Sequence, residues 1–112
     1  MDTYEGTVEG GSKSASDLGY PTANIALHDS TAGIFAAYVH VGRQKHAAVV
    51  YADHKRKLLE AHLLDFSGDL YGKKISIELL KKVREPLEFR DDKEARERIA
   101  ADVRDVRAYF KA

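Results

Sequence analysis

The sequence predicts a small antiparallel β-barrel of five or six strands that is flanked or plugged by one helix near the C-terminal end. Apolar and polar residues alternate along several short segments, which is the pattern of half-buried strands. Short runs of Gly, Asp, Ser and Lys separate most of these segments, so the strands follow one another in hairpin order. One later segment changes to helical spacing. Strands in this order, with a single terminal helix, imply a small barrel.

The strands are defined by which residues share a face. In Gly33–Val41, the clearest strand, Phe35, Ala37 and Val39 lie on one face, and Gly42–Gln44 then forms a tight hairpin turn. The predicted strands are Thr3–Glu9, a short strand after a turn within Leu18–Ile25, Gly33–Val41, Lys45–Tyr51, Leu58–Phe66 and Lys74–Val83, with Pro86 after the last one.

The helix is predicted to begin at Asp91 and Asp92, since acidic side chains suit the positive end of the helix dipole. Its apolar residues are spaced four, three and four apart, which makes a single stripe that should face the barrel. The stripe consists of Ile99, Val103, Val106 and Phe110, and the remaining surface carries Arg96, Arg98, Arg104 and Arg107, which we interpret as solvated.

Composition limits the classes of function. The chain has 112 residues, which suggests one domain over residues 1–112. Lys plus Arg and Asp plus Glu both number 18, so no net charge favours nucleic acid or a membrane surface as partner. Cysteine is absent, which excludes disulfides and thiolate metal sites, and no apolar run is long enough for a membrane span. We expect a soluble cytoplasmic monomer that binds small molecules.

The segment Leu18–Ile25 combines a turn with polar side chains. Gly19 and Pro21 favour a turn followed by extended backbone. Thr22 and Asn24 are two apart, so on an extended chain their oxygens point the same way, as ligands of Mg²⁺ or partners of a phosphate would. The alternative is an ordinary strand whose polar side faces water.

A small-residue loop, Gly10–Asp17, precedes this segment. Its backbone N–H groups, including that of Gly11, together with the Lys13 ammonium, suit a phosphate. The alternative is a flexible surface loop. The charged turn Asp53–Lys57 has the same two interpretations, a solvated hairpin tip or a contact with nucleotide phosphates.

Glu60 is the candidate general base. Leu59 and Ala61 should face the core, so Glu60 and His62 share the opposite face of their strand. A carboxylate there can accept a proton from a hydroxyl group, although a single Glu on a strand is commonly only solvent-facing. A metal site built from histidines is an alternative, but the spacing of His40, His46, His54 and His62 forms no compact ligand motif.

Five stretches, in the right order, resemble the riboflavin kinase (flavokinase) family. The most specific is Gly19–Asn24, which resembles the family's G-x-PTAN signature. Leu59–Phe66 contains an E-x-H motif, and Asp69–Lys73 contains D-L-Y-G. The resemblance runs from Tyr4 to Phe110 and also includes Gly33–Tyr38 and the arginine-to-phenylalanine segment Val83–Phe89.

The resemblance implies a fold, an activity and roles for named residues. The fold is a mainly β, six-stranded antiparallel barrel of Greek-key type with a C-terminal helix. The activity is transfer of the γ-phosphate of ATP or CTP to the 5′-hydroxyl of riboflavin, giving FMN, with Mg²⁺. Glu60 corresponds to the catalytic glutamate, Thr22 and Asn24 to ligands of the metal-nucleotide, and Arg84 to the arginine that borders the flavin. Gly11, Lys13, Gly19 and Pro21 belong to the segments that surround the nucleotide.

Two stretches depart from the family pattern. Relatives usually carry an arginine in the loop that Gly10–Asp17 forms, whereas Lys13 is the only cation near that position here. Relatives also usually have a longer loop where this chain has the short Tyr51–Lys57 turn. We therefore expect a stand-alone kinase domain with a divergent phosphate loop. The alternatives are a non-catalytic flavin- or nucleotide-binding module and a purely structural interaction domain. Glu60 and the PTAN residues argue against the latter.

Overall fold

The computed structural model describes residues 2–9, 22–66 and 68–111, and within these ranges it has six strands and one helix. No helix in the described ranges combines the length and apolarity needed to cross a membrane. The elements are β1 (Thr3–Thr7), β2 (Ala23–Ala26), β3 (Gly33–Val41), β4 (Gln44–Asp53), β5 (Leu58–Leu63), β6 (Lys74–Arg84) and α1 (Asp92–Lys111).

The strands form one antiparallel sheet in the order β1-β6-β3-β4-β5-β2. The two edges approach each other beyond the end of β1, where the Glu9 N–H donates to the Asn24 carbonyl at 2.9 Å. The sheet is therefore a nearly closed barrel, and the predicted six-stranded fold is confirmed. Sequence neighbours β2 and β3 are not adjacent in the sheet, as in a Greek key.

The strand limits differ from the predicted ones at a few ends. β3 has the predicted limits, whereas β1 and β5 are shorter than predicted and β4 is longer. β5 ends at Leu63 because the chain turns soon after it, where Asp65 has a left-handed φ of 55°. The Leu64 N–H still donates to the Ala47 carbonyl of β4, which continues the β4–β5 register by one residue. Differences of a few residues in strand length leave the order and the faces of the strands unchanged.

Two apolar layers lie on opposite faces of the sheet. The inner layer fills the barrel and includes Ile25, Leu59 and Ile77, none of which is exposed. The outer layer lies under α1 and consists of Ile34, Ala36, Val49, Leu64 and Val106, with further side chains packed against it. The helix therefore flanks the barrel and does not plug it.

The helix begins and docks as its sequence predicts. The Asp91 carboxylate accepts a hydrogen bond from the Glu94 N–H at 2.9 Å, which caps the first turn. Val106 of the apolar stripe is fully buried, and the Phe110 ring lies 5.2 Å from the Tyr38 ring. Burying one such side chain contributes about 1.5–3 kcal/mol, so the stripe accounts for the position of α1 on the outer face of the sheet.

Two arginine–aspartate pairs also connect α1 to the sheet. Arg84 of β6 donates from Nε and Nη2 to the two Asp102 carboxylate oxygens, both at 2.7 Å. The Asp102 side chain is only 1% exposed and that of Arg84 15%. Arg107 makes a similar two-point contact with Asp65, but both of those side chains are exposed. The two pairs have the same chemistry in different environments.

The buried pair should matter more for stability than the exposed one. Arg84→Met leaves the Asp102 carboxylate buried without its cation, which should lower the free energy of unfolding by about 3 kcal/mol. Asp102→Asn in the same chain should recover part of that loss, because it removes the buried charge. Urea unfolding measures both variants.

Arg107→Met is the matched control, since it breaks a two-point Arg–Asp contact in water. Its cost should be much smaller than that of Arg84→Met, because water and salt screen an exposed pair. Equal losses for Arg84→Met and Arg107→Met would contradict a special role for the buried pair.

Candidate active-site cleft

The register of the sheet places the candidate site residues in one row. Asn24 of β2 lies opposite Glu60 of β5, and Glu60 lies opposite Tyr51 of β4. Directly opposed residues of antiparallel strands have their Cβ atoms about 4.5–5.5 Å apart. The row continues across the sheet through Ile34 and Arg84.

The row lies on the outer face of the barrel. The chain neighbours of Glu60, which are Leu59 and Ala61, belong to the inner layer, so Glu60 points outward. The predicted face of this residue is confirmed. Its side chain is nevertheless only 4% exposed. It therefore lies within a covered site and is not a solvent-facing residue.

A cleft of about 1130 Å³ opens over this row. One wall is the outer face of the sheet with Ile34, Tyr51 and Glu60, and the other is the 85–92 segment with the first turns of α1, including Ile99. Small-molecule sites commonly measure about 300–1,000 Å³ and combine apolar walls with a few polar groups. This cleft is slightly larger than that range, and its lining combines apolar side chains such as Ile34 with many charged ones, among them Glu60 and Arg84.

Arg56 contacts the Glu60 carboxylate directly. Its Nη2 donates to Glu60 Oε1 at 2.8 Å, and its Nε donates to Asp53 Oδ2 at 2.7 Å. Burial would lower the pKa of Arg56, but the hydrogen bond to Asp53 and the negative charge of Glu60 raise the pKa overall. Arg56 is therefore a permanent cation beside the candidate base.

The turn that carries Arg56 is held at several points. Asp53 Oδ1 accepts hydrogen bonds from the N–H groups of Lys55 and Arg56, both at 3.1 Å. Lys57 has a left-handed φ of 58°, and its carbonyl accepts from the Leu27 N–H at 2.9 Å. The turn is thus more than a solvated hairpin tip, because it brings one of its cations to Glu60.

Thr22 is partly buried and Asn24 is buried, and both lie near the Glu60 end of the row. Asn24 is 4% exposed. The Thr22 Oγ1 atom is buried and has no hydrogen-bond partner among the residues that the structure describes. A buried hydroxyl without a partner costs about 1–3 kcal/mol, which makes it a candidate for a ligand contact.

Arg84 lies at the opposite end of the row, where it borders the cleft. Its guanidinium donates to Asp102, so it fixes the wall of the cleft as well as lining it. Two irregularities in the β3–β6 register, between Ile34 and Phe35 and between Ala36 and Ala37, precede this point. Such bulges redirect side chains, and here Arg84 comes opposite Ile34 of the outer layer.

The remaining predicted site residues lie outside the described ranges. These are Gly11, Lys13, Gly19 and Pro21. Their predicted contacts with the nucleotide stay predictions. Within the described ranges, no group of three or more His, Cys, Asp or Glu side chains could hold a metal ion.

Sequence reasoning missed Asp102 and the contact between Arg56 and Glu60. Asp102 stands three residues after Ile99 and four before Val106, so it falls on the apolar stripe, and a charge at that position indicates a buried ion pair. The Arg56 contact has no comparable signal, because it depends on the conformation of one turn.

The fold is a nearly closed barrel with an outer helix, and a buried carboxylate lies in the wall of the cleft between them. The family model described as Flavokinase, riboflavin kinase, matches residues 2–110. The chain therefore belongs to the riboflavin kinase family, and the predicted resemblance is confirmed.

Proteins with similar sequences support this family, and solved structures share the fold. A bifunctional riboflavin kinase/FMN adenylyltransferase of Buchnera aphidicola subsp. Acyrthosiphon pisum is 35% identical over 96% of this chain, which spans 38% of that relative's length. A riboflavin kinase structure from Trypanosoma brucei has a TM-score of 0.68 at 23% identity, covering 97% of this chain and 79% of that one. A Streptococcus pneumoniae structure titled macrolide-efflux protein has a TM-score of 0.78 at 26% identity, covering 94% and 36%.

Proposed function

We propose that this protein is a riboflavin kinase, which transfers the γ-phosphate of a nucleoside triphosphate to the 5′-hydroxyl of riboflavin. The observation that carries the proposal is the position of Glu60, a buried carboxylate in the cleft wall beside Asn24. Membership of the riboflavin kinase family supports the same reaction.

Glu60 acts as the general base in this proposal. Its carboxylate accepts the proton of the 5′-hydroxyl while the hydroxyl oxygen attacks the γ-phosphorus. The bond between the γ-phosphorus and the bridging oxygen breaks, and the nucleoside diphosphate leaves with that oxygen. The products are FMN and a nucleoside diphosphate, with the proton held at Glu60 until solvent removes it.

The cleft walls suit the flavin ring. Ile34 and Ile99 line the cleft but are already buried, whereas Leu87 and Phe89 of the 85–92 segment are 50% and 38% exposed. A flat ring system would cover these exposed apolar side chains, and burial of that surface would contribute to binding. Arg84 borders the same space, as the family resemblance implies.

Thr22 and Asn24 fit a divalent metal that binds with the nucleotide. The buried Thr22 hydroxyl lacks a partner among the described residues, and a hydroxyl and a carboxamide oxygen are ligands that Mg²⁺ accepts. The metal would neutralise charge on the phosphate groups. Few charged ligands are needed from the protein, because phosphate oxygens commonly complete the shell of a nucleotide-bound Mg²⁺. ATP is the proposed donor and CTP the alternative.

Removing the carboxylate should reduce turnover far more than binding. Glu60→Gln keeps the size of the side chain but removes the basic group, so kcat for FMN formation should fall by about 10²–10⁴. Riboflavin binding, measured by quenching of flavin fluorescence, should stay within a few-fold. Chromatographic detection of FMN after incubation with riboflavin, Mg²⁺ and ATP or CTP gives kcat.

Glu5→Gln is the matched control, since Glu5 is exposed on β1 and lies outside the cleft. It should leave kcat unchanged. FMN formation that survives Glu60→Gln would exclude Glu60 as the base. A wild-type protein that binds riboflavin but makes no FMN with either nucleotide would instead favour a non-catalytic binding module.

The Thr22 hydroxyl should show a trade-off between stability and binding. Thr22→Val replaces a buried hydroxyl that lacks a described partner by a methyl group, which should raise the free energy of unfolding by about 1–2 kcal/mol. The same change should weaken binding of Mg-nucleotide by about tenfold, or about 1.4 kcal/mol. Urea unfolding and titration calorimetry measure the two effects. A variant that is less stable and binds Mg-nucleotide normally would show that the hydroxyl has a structural role.

A further inference from the structure

We infer that Arg56 is a positioning residue for the phosphotransfer reaction, which acts by fixing the orientation of the Glu60 carboxylate. The inference rests on the proposed function, because a positioning residue needs a base to position. The main observation is that Arg56 links two carboxylates: it donates to Asp53 at 2.7 Å and to Glu60 at 2.8 Å.

Arg56 holds one of the two Glu60 carboxylate oxygens. Its Nη2 donates to Oε1, and a hydrogen bond between two charged groups is short and directional. Fixing Oε1 also fixes the rotation of the carboxylate plane, and with it the direction in which Oε2 points. A base whose oxygen is aimed before the substrate arrives loses little freedom in the transition state.

Arg56 is itself held in place. Its Nε donates to Asp53, whose other oxygen accepts from the backbone of Lys55 and Arg56. Burial would raise the pKa of Asp53, but the hydrogen bonds from Arg56 lower the pKa overall, so Asp53 stays charged at neutral pH. The backbone contact from Lys57 to Leu27 ties the same turn to the chain that follows β2.

This arrangement uses the shape of the guanidinium. A planar fork can donate from Nε to Asp53 and from Nη2 to Glu60 at the same time, whereas an ammonium is a single point charge on a flexible stem. Lysine at this position would therefore keep the charge but not the two-point geometry. The two substitutions Arg56→Met and Arg56→Lys separate these contributions.

The kinetic test compares Arg56→Met with wild type. Loss of the contact should lower kcat for FMN formation by about tenfold to a hundredfold, since misplacement of a reacting group by about 1 Å has an effect of that size. The KM values for riboflavin and nucleotide should change less than threefold. Arg56→Lys should give an intermediate kcat. Thermal melting of each variant shows whether the fold is retained.

A double-mutant cycle decides how Arg56 acts. If it acts through Glu60, then Arg56→Met should lower kcat less than twofold further in a Glu60→Gln chain. Arg43→Met is the matched control, because it removes an exposed arginine from the far end of the β3–β4 hairpin. It should leave kcat and both KM values unchanged.

Each other outcome overturns the inference in a recognisable way. Independent, multiplicative effects of the two substitutions would show that Arg56 does not act through Glu60. A raised nucleotide KM with kcat unchanged would show that Arg56 acts on the nucleotide. A wild-type kcat in a folded Arg56→Met protein would show that the contact has no role in turnover. A wild-type protein that makes no FMN would overturn the proposed function, and the inference with it.

Discussion

The antiparallel register of the sheet determines where the chemistry of this protein can take place. Asn24, Glu60 and Tyr51 come from three strands, yet the register puts them side by side on the outer face. A shift of one residue in β5 would turn Glu60 into the apolar interior and place Leu59 in the cleft. The inner layer prevents this shift, because Leu59 and Ala61 are fully buried there. Packing inside the barrel thus specifies the site outside it.

The helix packs over β3, β4 and β6 and forms the second wall of the cleft above this row. Its apolar stripe and the buried Arg84–Asp102 pair fix its distance and direction from the sheet, and the 85–92 segment closes one side of the cleft. Arg84 has a structural role and also lines the candidate site. It borders the cleft while its guanidinium is hydrogen-bonded to Asp102, so its side chain cannot move away without leaving a buried carboxylate unpaired.

Periodicity was enough to predict the strands, their faces and the helix stripe. The outward face of Glu60 followed from Leu59 and Ala61 alone, and the apolar spacing through Val106 gave the docking face of α1. The burial of Glu60 did not follow, because it depends on what covers the strand. The sequence indicates Arg56 only as part of a charged turn, since its contact with Glu60 depends on the left-handed Lys57 and on the Asp53 hydrogen bonds. The Asp53 hydrogen bonds are local and typical of a turn, but an Asp at this position does not indicate which side chain the turn will bring to Glu60.

A structure of the protein with riboflavin and a Mg-bound, non-hydrolysable nucleotide analogue tests the account most directly. The account predicts the flavin ring between α1 and the outer face of the sheet, with the 5′-hydroxyl oxygen within about 3 Å of a Glu60 carboxylate oxygen. It also predicts that Thr22 and Asn24 lie on the nucleotide side of that hydroxyl. A riboflavin molecule bound inside the barrel, or in the cleft with its ribityl chain directed away from Glu60, would contradict it.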